Sequence, residues 1–312
     1  MNRVLVVRGG AIGDFVLTLP ALKALRDASL QTHIEILGYK HIIALAENRF
    51  YANAVRSIEY AGLSSFFAGG SELPAGLTEY FSNFDLVISY LYDPDRIFAS
   101  NLHRCGVKRL IRGQSKIEQT EHAARQLARP VEELGIQVTD LGARLFPSTE
   151  DQQFANEFLS GLKSPFIAIH PGSGSERKNW PLQNWIDLGD DLLNQTSLIV
   201  ISGEAEESRA ATLKERWQNR GARFATDLSL PKLAAVLAHT IFIGHDSGIS
   251  HLAAAAGANS ILLFGPTDPA IWAPLNNNAR VLRAPENDLA RLNPETVRAA
   301  LDQALMRIGI IT

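Results

Sequence analysis

One cysteine, Cys105, stands in 312 residues, which excludes an internal disulfide framework and a cysteine zinc site and fits a reducing compartment. No stretch approaches the roughly 20 apolar residues that span a bilayer, and the apolar run in MNRVLVVRGG is too short for a signal-peptide core. An excess of one charge is also missing. The 30 Lys and Arg against 33 Asp and Glu leave a formal net charge of -3, which argues against a general nucleic-acid binder, whose phosphate contacts leave a basic excess. No short-period repeat or low-complexity tract occurs. With 46% apolar residues the chain can bury one large core or, as its pattern suggests, two of roughly 150 residues each. The expected location is the cytoplasm.

What the chain does have is short apolar, β-branched runs alternating with helical stretches, the signature of an α/β protein. Residues 4–7, 33–37, 54–59, 85–89 and 107–111 read as strands, separated by helical or irregular stretches such as 41–48 and 94–105. A polar helix starts in PSTEDQQ (147–153) and SGLKSP (160–165) reads as a linker, so the expected domains are 1–155 and 156–312. A second series of strands follows at 166–169, 197–202, 240–243 and 259–264. The last helix has Asn293 as its cap, Pro294 at its first position, and Val297, Leu301, Leu305 and Ile308 on one face.

Three strand ends carry the candidate chemistry. After the first strand, RGGAIGD (8–14) delivers Asp14 to the carboxyl end of the sheet, where Asp14 could serve as a base or simply cap the helix. The dinucleotide fingerprint fails there, because its first glycine would fall on Arg8. In the second domain HPGSGSERKNWP (170–181) combines small residues and exposed amides with Arg177 and Lys178, the means of holding a diphosphate where no carboxylate cluster points to a metal. In GHDSGISHLAAAAG (244–257), Asp246 or Ser247 caps an Ala-rich helix, Gly248 permits close approach, and His251 lies one turn on. That stretch suits an anion cradle at a helix N-terminus and equally an ordinary capped helix with a partly buried histidine. Separately, the segment 104–129 gathers seven cations, among them Arg104, Lys108, Arg109, Arg112 and Lys116, against Glu118 and Glu121. Such a run reads as a solvated face or as a receiver of anionic substrate.

Taken together, RGGAIGD (8–14), HPG followed by KNWP (170–181), DSGISH (246–251) and FGPT (264–267) resemble glycosyltransferase family 9, the bacterial ADP-heptose:lipopolysaccharide heptosyltransferases. The resemblance implies a GT-B fold, in which two Rossmann-like domains face each other across a cleft, with the acceptor in the N-terminal domain and the nucleotide-sugar donor in the C-terminal one. It implies that the final helix packs back across the boundary. It also implies an inverting, metal-independent transfer with an ADP-sugar as co-substrate and no cofactor. Asp14 would be the base. Ser173, Lys178, Asp246, Ser247, Gly248 and His251 would hold the donor's diphosphate, with Glu206 or Glu207 on its ribose. The acceptor would be an anionic glycolipid, the lipopolysaccharide core, met by Gly13, Arg104, Arg109 and Arg112, with the protein peripheral to the inner membrane. The competing expectations are a nucleotide-sugar 2-epimerase-like GT-B enzyme and a non-catalytic nucleotide-sugar or glycan-binding protein.

Overall fold

A computed structural model describes residues 2–203, 207–307 and 309, in two compact units, Met1–Leu141 and Gly142–Thr312. In the first unit, five parallel strands form one sheet: β1 (Arg3–Arg8), β2 (His33–Gly38), β3 (Ala54–Ser57), β4 (Leu86–Ser89) and β5 (Leu110–Arg112), in the order β3-β2-β1-β4-β5. Val4, Leu5, Val6 and Val7 of β1 are fully buried, as a central strand covered on both faces requires. The chain winds outward from β1 to β3 and then returns to the other side of β1. The strand order therefore reverses between β1 and β4, and open α/β sheets bind ligands at the carboxyl ends of such a pair.

The second unit repeats the plan with six parallel strands: β6 (Phe166–His170), β7 (Ser197–Ser202), β8 (Arg223–Thr226), β9 (Thr240–His245), β10 (Asn259–Phe264) and β11 (Ala279–Arg283), in the order β11-β10-β9-β6-β7-β8. Here the reversal lies between β6 and β9, whose register sets His170 beside Gly244, so the loops leaving these strands start side by side. Trp180, Trp185 and Trp217 are wholly buried in its core. Trp217 docks because residue 189, inside helix Leu182–Leu192, is glycine: a Cβ there would lie 2.3 Å from the indole.

Several boundaries differ from the sequence reading. The edge strands β8 and β11 are additional; both are only partly buried, so they lack the continuous apolar run that marks the inner strands. The stretch 41–48, read as helical or irregular, holds a short helix, Lys40–Ile43, followed by turns, and Asn48 has a positive φ of 52°. The units divide after Leu141, ahead of the expected boundary at 155, for two reasons. Residues beyond the division are already tied to the second unit, with the Leu145 amide donating to the Ala255 carbonyl (2.9 Å) and Asn276 to the Ala143 carbonyl (2.8 Å). Helix Thr149–Leu159, capped by Ser148, packs against helix Leu230–Leu237 of the same unit. The closing helix, Pro294–Arg307, is capped by Asn293, which accepts from the Glu295 amide (3.1 Å). It buries Val297, Ala300, Leu301 and Leu305 in the second unit's core; Ile308 lies outside the described residues.

Candidate functional site

In the second unit, β9 ends at His245 and the chain turns through Asp246 and Ser247 into helix Gly248–Ala256. Ser247 is the N-cap, accepting from the Ser250 amide. The amides of Gly248 and Ile249, in the first helical turn, have no intrahelical acceptor, and they sit at the positive end of the helix dipole. Asp246 does not cap the helix. Its carboxylate, 8% exposed, accepts on one oxygen from Lys178 Nζ (2.7 Å) and from Thr267 Oγ1 (2.7 Å). Loops from the ends of β6, β9 and β10 thus converge on a single buried carboxylate. An ammonium has three donors, so Lys178 keeps two N–H groups for another acceptor after binding Asp246.

The remaining donor candidates are placed less uniformly. Ser173 is buried and its hydroxyl bonds within the loop, at 2.9 Å from both Asn179 Oδ1 and the Ser175 carbonyl. His251 is 5% exposed and lies in the second turn of its helix. Glu206 is outside the described residues. Of Glu207 the structure describes the backbone, at the start of helix Glu207–Trp217. Beside that helix, at the carboxyl ends of β7 and β8, is a cavity of about 350 Å³ lined by Ser202, Ala211, Lys214, Phe224, Thr226 and Asp227. Its volume is within the ~300–1,000 Å³ of small-molecule sites, and its lining mixes an apolar wall with a few polar groups.

His245 and Thr267 were not singled out in the sequence. The FGPT motif contains Thr267, but no local pattern announces a contact with Asp246. His245 is completely buried, with Nε2 accepting from the Trp180 amide (2.8 Å) and Nδ1 at 3.2 Å from the Gly172 carbonyl. The amide can only donate and the carbonyl can only accept, so the ring is neutral with its proton on Nδ1. Burial pushes its pKa down to about 3.

In the first unit, β1 runs through Gly10, at a φ of 96°, into helix Ile12–Ala28. Asp14 is in the first turn. One carboxylate oxygen accepts from the Ala11 amide (2.9 Å), the other lies 3.7 Å from the Arg8 guanidinium, and the side chain is 34% exposed. It therefore closes the helix start and still meets solvent. Gly13 precedes it and is partly buried. Arg8, nearly buried, holds the Asp14 carbonyl (3.0 Å) and the Thr18 hydroxyl (3.0 Å) from below, and Tyr90 lines it, with its ring centroid 5.5 Å away.

The basic segment splits between the two edges of that sheet. Arg112 ends β5, paired in register with Ser89 of β4, and donates to the Asp93 carbonyl (2.7 Å); Lys116 lies 4.2 Å from the Tyr92 ring centroid. These are at the carboxyl edge, with Asp14. Arg109 precedes β5 and Arg104 ends helix Ile97–Arg104, which places both at the amino edge. Arg104 is further engaged by Asn101 Oδ1 (2.8 Å) and the Ser71 carbonyl (2.9 Å). The expectation that Arg104 and Arg109 join Asp14 in one site is thus corrected by the strand direction.

Residues 108–299 match the family model described as Glycosyltransferase family 9 (heptosyltransferase). The chain belongs to glycosyltransferase family 9. It is 30% identical over 172 residues to lipopolysaccharide heptosyltransferase 1 of Escherichia coli O18:K1:H7 (strain RS218 / NMEC), a match covering 53% of this chain and 52% of that one. The chain spans about half the length of the first curated relatives it matches. Its fold is like that of the E. coli ADP-heptose lps heptosyltransferase II, with a TM-score of 0.81 at 16% identity over 98% of this chain and 99% of that chain. An E. coli heptosyltransferase solved with ADP gives a TM-score of 0.72 at 21% identity over 96% and 99%. The family 9 chain described here thus has the α/β, GT-B fold, two Rossmann-like units each reversing its strand order at the middle of the sheet.

The neutral, buried His245 predicts a stability change with pH. Above pH 6.5 the imidazole is neutral in the folded and unfolded chain alike; as pH falls from 6.5 toward 3 the unfolded chain takes up a proton that the folded one refuses, so stability is lost. Asp190, whose pKa is held down to about 2 chiefly by Arg216, contributes a similar loss only below pH 3.8. Between pH 6.5 and 4.5 the melting temperature should therefore fall with a slope that is shallower in His245→Gln; identical slopes would contradict the assignment.

Proposed function

We propose that the protein is an inverting, metal-independent glycosyltransferase that moves a heptose-class sugar from an ADP-sugar to a lipopolysaccharide core or related glycan. The observation that carries this reading is the convergence of Lys178, Thr267 and the Ser247-capped helix start on Asp246, at the strand reversal of the second unit. That arrangement suits a departing diphosphate. Lys178 supplies cationic donors, the Gly248 and Ile249 amides supply dipolar ones, and Asp246 holds the lysine in place without competing metal chemistry. The cavity at the ends of β7 and β8, next along the sheet from β6, is the place for the nucleoside. The match to heptosyltransferases over residues 108–299 and the ADP held by one of the similar structures favour ADP and heptose within that chemistry.

In the transfer, an acceptor hydroxyl attacks the anomeric carbon as the bond to the diphosphate oxygen breaks, which inverts that carbon. Asp14 takes the hydroxyl proton as the new C–O bond forms. Its partial exposure leaves it able to meet an acceptor, while Arg8 and the Ala11 amide keep it oriented. ADP leaves with its charge opposed by Lys178 and the helix start. The glycolipid acceptor is assigned to the carboxyl edge of the first sheet, where Arg112 and Lys116 supply positive charge for acidic sugars and phosphates. Among the described residues no helix is long and apolar enough to cross a membrane. In this reading the protein works in the cytoplasm and meets the inner membrane peripherally, where a lipopolysaccharide-core acceptor is anchored.

Asp14→Asn is the informative variant, because an amide oxygen can still accept from Ala11 and keep the helix start closed. Transfer from ADP-heptose to a lipopolysaccharide core acceptor in excess chelator should proceed with the unaltered protein and fall by about 10²- to 10⁴-fold in Asp14→Asn at unchanged donor affinity. Full activity of the variant would reduce Asp14 to a cap, and loss of wild-type activity in chelator would reject metal independence. The split of the basic segment gives a second prediction: Arg112→Ala should raise the Michaelis constant for acceptor, an effect mimicked by high salt, whereas Arg109→Ala should not. Equal effects of the two substitutions would disprove the placement of the acceptor.

A further inference from the structure

The loop between β6 and helix Leu182–Leu192 has little structure of its own. Its backbone bonds are local: the Lys178 amide donates to the Ser175 carbonyl (2.9 Å), the Asn179 amide to the Glu176 carbonyl (3.0 Å), and a short 3-10 turn covers Glu176–Lys178. From outside, the exposed Glu176 carboxylate is paired with Arg209 and the Lys178 ammonium with Asp246. Nothing lies within 4 Å of where a Cβ of Gly174 would be. A surface ion pair holds such a segment weakly, so presenting Lys178 in one position also requires its two ends to be fixed. Those ends, Gly172 and Trp180, are both bonded to one side chain, His245, through the two nitrogens of a single ring.

The ring is itself immobilised. It meets Trp185 edge-to-face at 5.3 Å, Trp185 meets Trp180 in the same way at 5.1 Å, and Trp180 Nε1 donates to the Leu292 carbonyl (2.8 Å). The next residue in the chain is Asp246, which holds Lys178. Consecutive residues at the end of β9 therefore grip the same loop twice, His245 at its neck by backbone groups and Asp246 at its cation.

We propose that His245 is a positioning residue for the donor site, closing the neck of loop 172–180 so that Lys178 is held where the diphosphate arrives. The assignment rests on the reading of this loop as the diphosphate site. It requires the neutral ring, since an imidazolium could not accept from the Trp180 amide. Burial keeps the ring in that form, so the clamp is permanent and not a switch at working pH. A role confined to core packing would leave His245 independent of Lys178; a positioning role makes the two interdependent.

A double-mutant cycle separates these. ADP affinity is measured by calorimetry for wild type, His245→Ala, Lys178→Met and the double variant, and amide hydrogen exchange of residues 173–180 is followed without nucleotide, with helix Pro294–Arg307 as the control for global opening. His245→Ala should weaken ADP about 10-fold in the wild-type background and hardly at all once Lys178 is gone, with faster exchange in the loop and unchanged exchange in the control helix. His245→Gln, whose amide oxygen can still accept from Trp180, should fall between wild type and alanine, and it carries the cycle if the alanine variant does not fold. The same loss of affinity in both backgrounds, or no loss in either, overturns the proposal. If wild type itself fails to bind ADP, the donor-site reading falls instead; loop exchange that is unchanged in His245→Gln and His245→Ala then also removes the clamp.

Discussion

The second unit's site depends on one constraint: a carboxylate, that of Asp246, has been taken out of water and must be compensated. Its partners come from the loops after β6 and β10, so satisfying the charge also brings three strand ends to one point. Removing one partner of a fully buried ion pair costs about 3–5 kcal/mol. The figure here is smaller, since Lys178 is 31% exposed, and that exposure is also what leaves its remaining donors open to a ligand. The pair is buried enough to be specific in place and exposed enough to be used. Thr267, which donates to the same oxygen, keeps Asp246 satisfied if Lys178 shifts toward an anion.

The first unit uses the same device with the charges exchanged. Arg8, at the end of β1, is the buried member and Asp14 the accessible one. Burial lowers the pKa of Arg8, a destabilisation of its charged form that the Asp14 carboxylate opposes. In both units the buried charge stands at the strand end where the sheet order reverses and fixes an accessible group of opposite sign. The Rossmann-like topology supplies the place; the buried charge supplies the orientation.

Where structure is local in the chain it was legible. A cap at Asp246 or Ser247, the glycine turn before Asp14, the loop with Lys178 and the Asn293 cap are all determined by residues within a few positions of each other, and residue type and spacing announce them; the structure chooses Ser247. The partnerships of His245 with Gly172 and Trp180, and of Thr267 with Asp246, join strands distant in sequence, and no periodicity encodes them. Composition found the excess of cations in 104–129 but carries no direction, so it could not tell that Arg109 and Arg112 stand at opposite ends of a three-residue strand. The domain boundary was displaced for a similar reason: helix Thr149–Leu159 and the linker-like stretch 160–165 are visible in the sequence, but the packing of that helix on Leu230–Leu237 is a tertiary fact.

The central claim is that the start of helix Gly248–Ala256, together with Lys178, receives the diphosphate of a nucleotide. Backbone amide shifts recorded during titration with ADP test it most directly, because they report which N–H groups meet the ligand whether or not any sugar is transferred. The account predicts saturable shifts concentrated at Ser247, Gly248 and Ile249 and along 173–178, with smaller ones at Ser202 and Thr226 beside the cavity. Saturable shifts confined to another part of the chain, with the helix start silent, would contradict it.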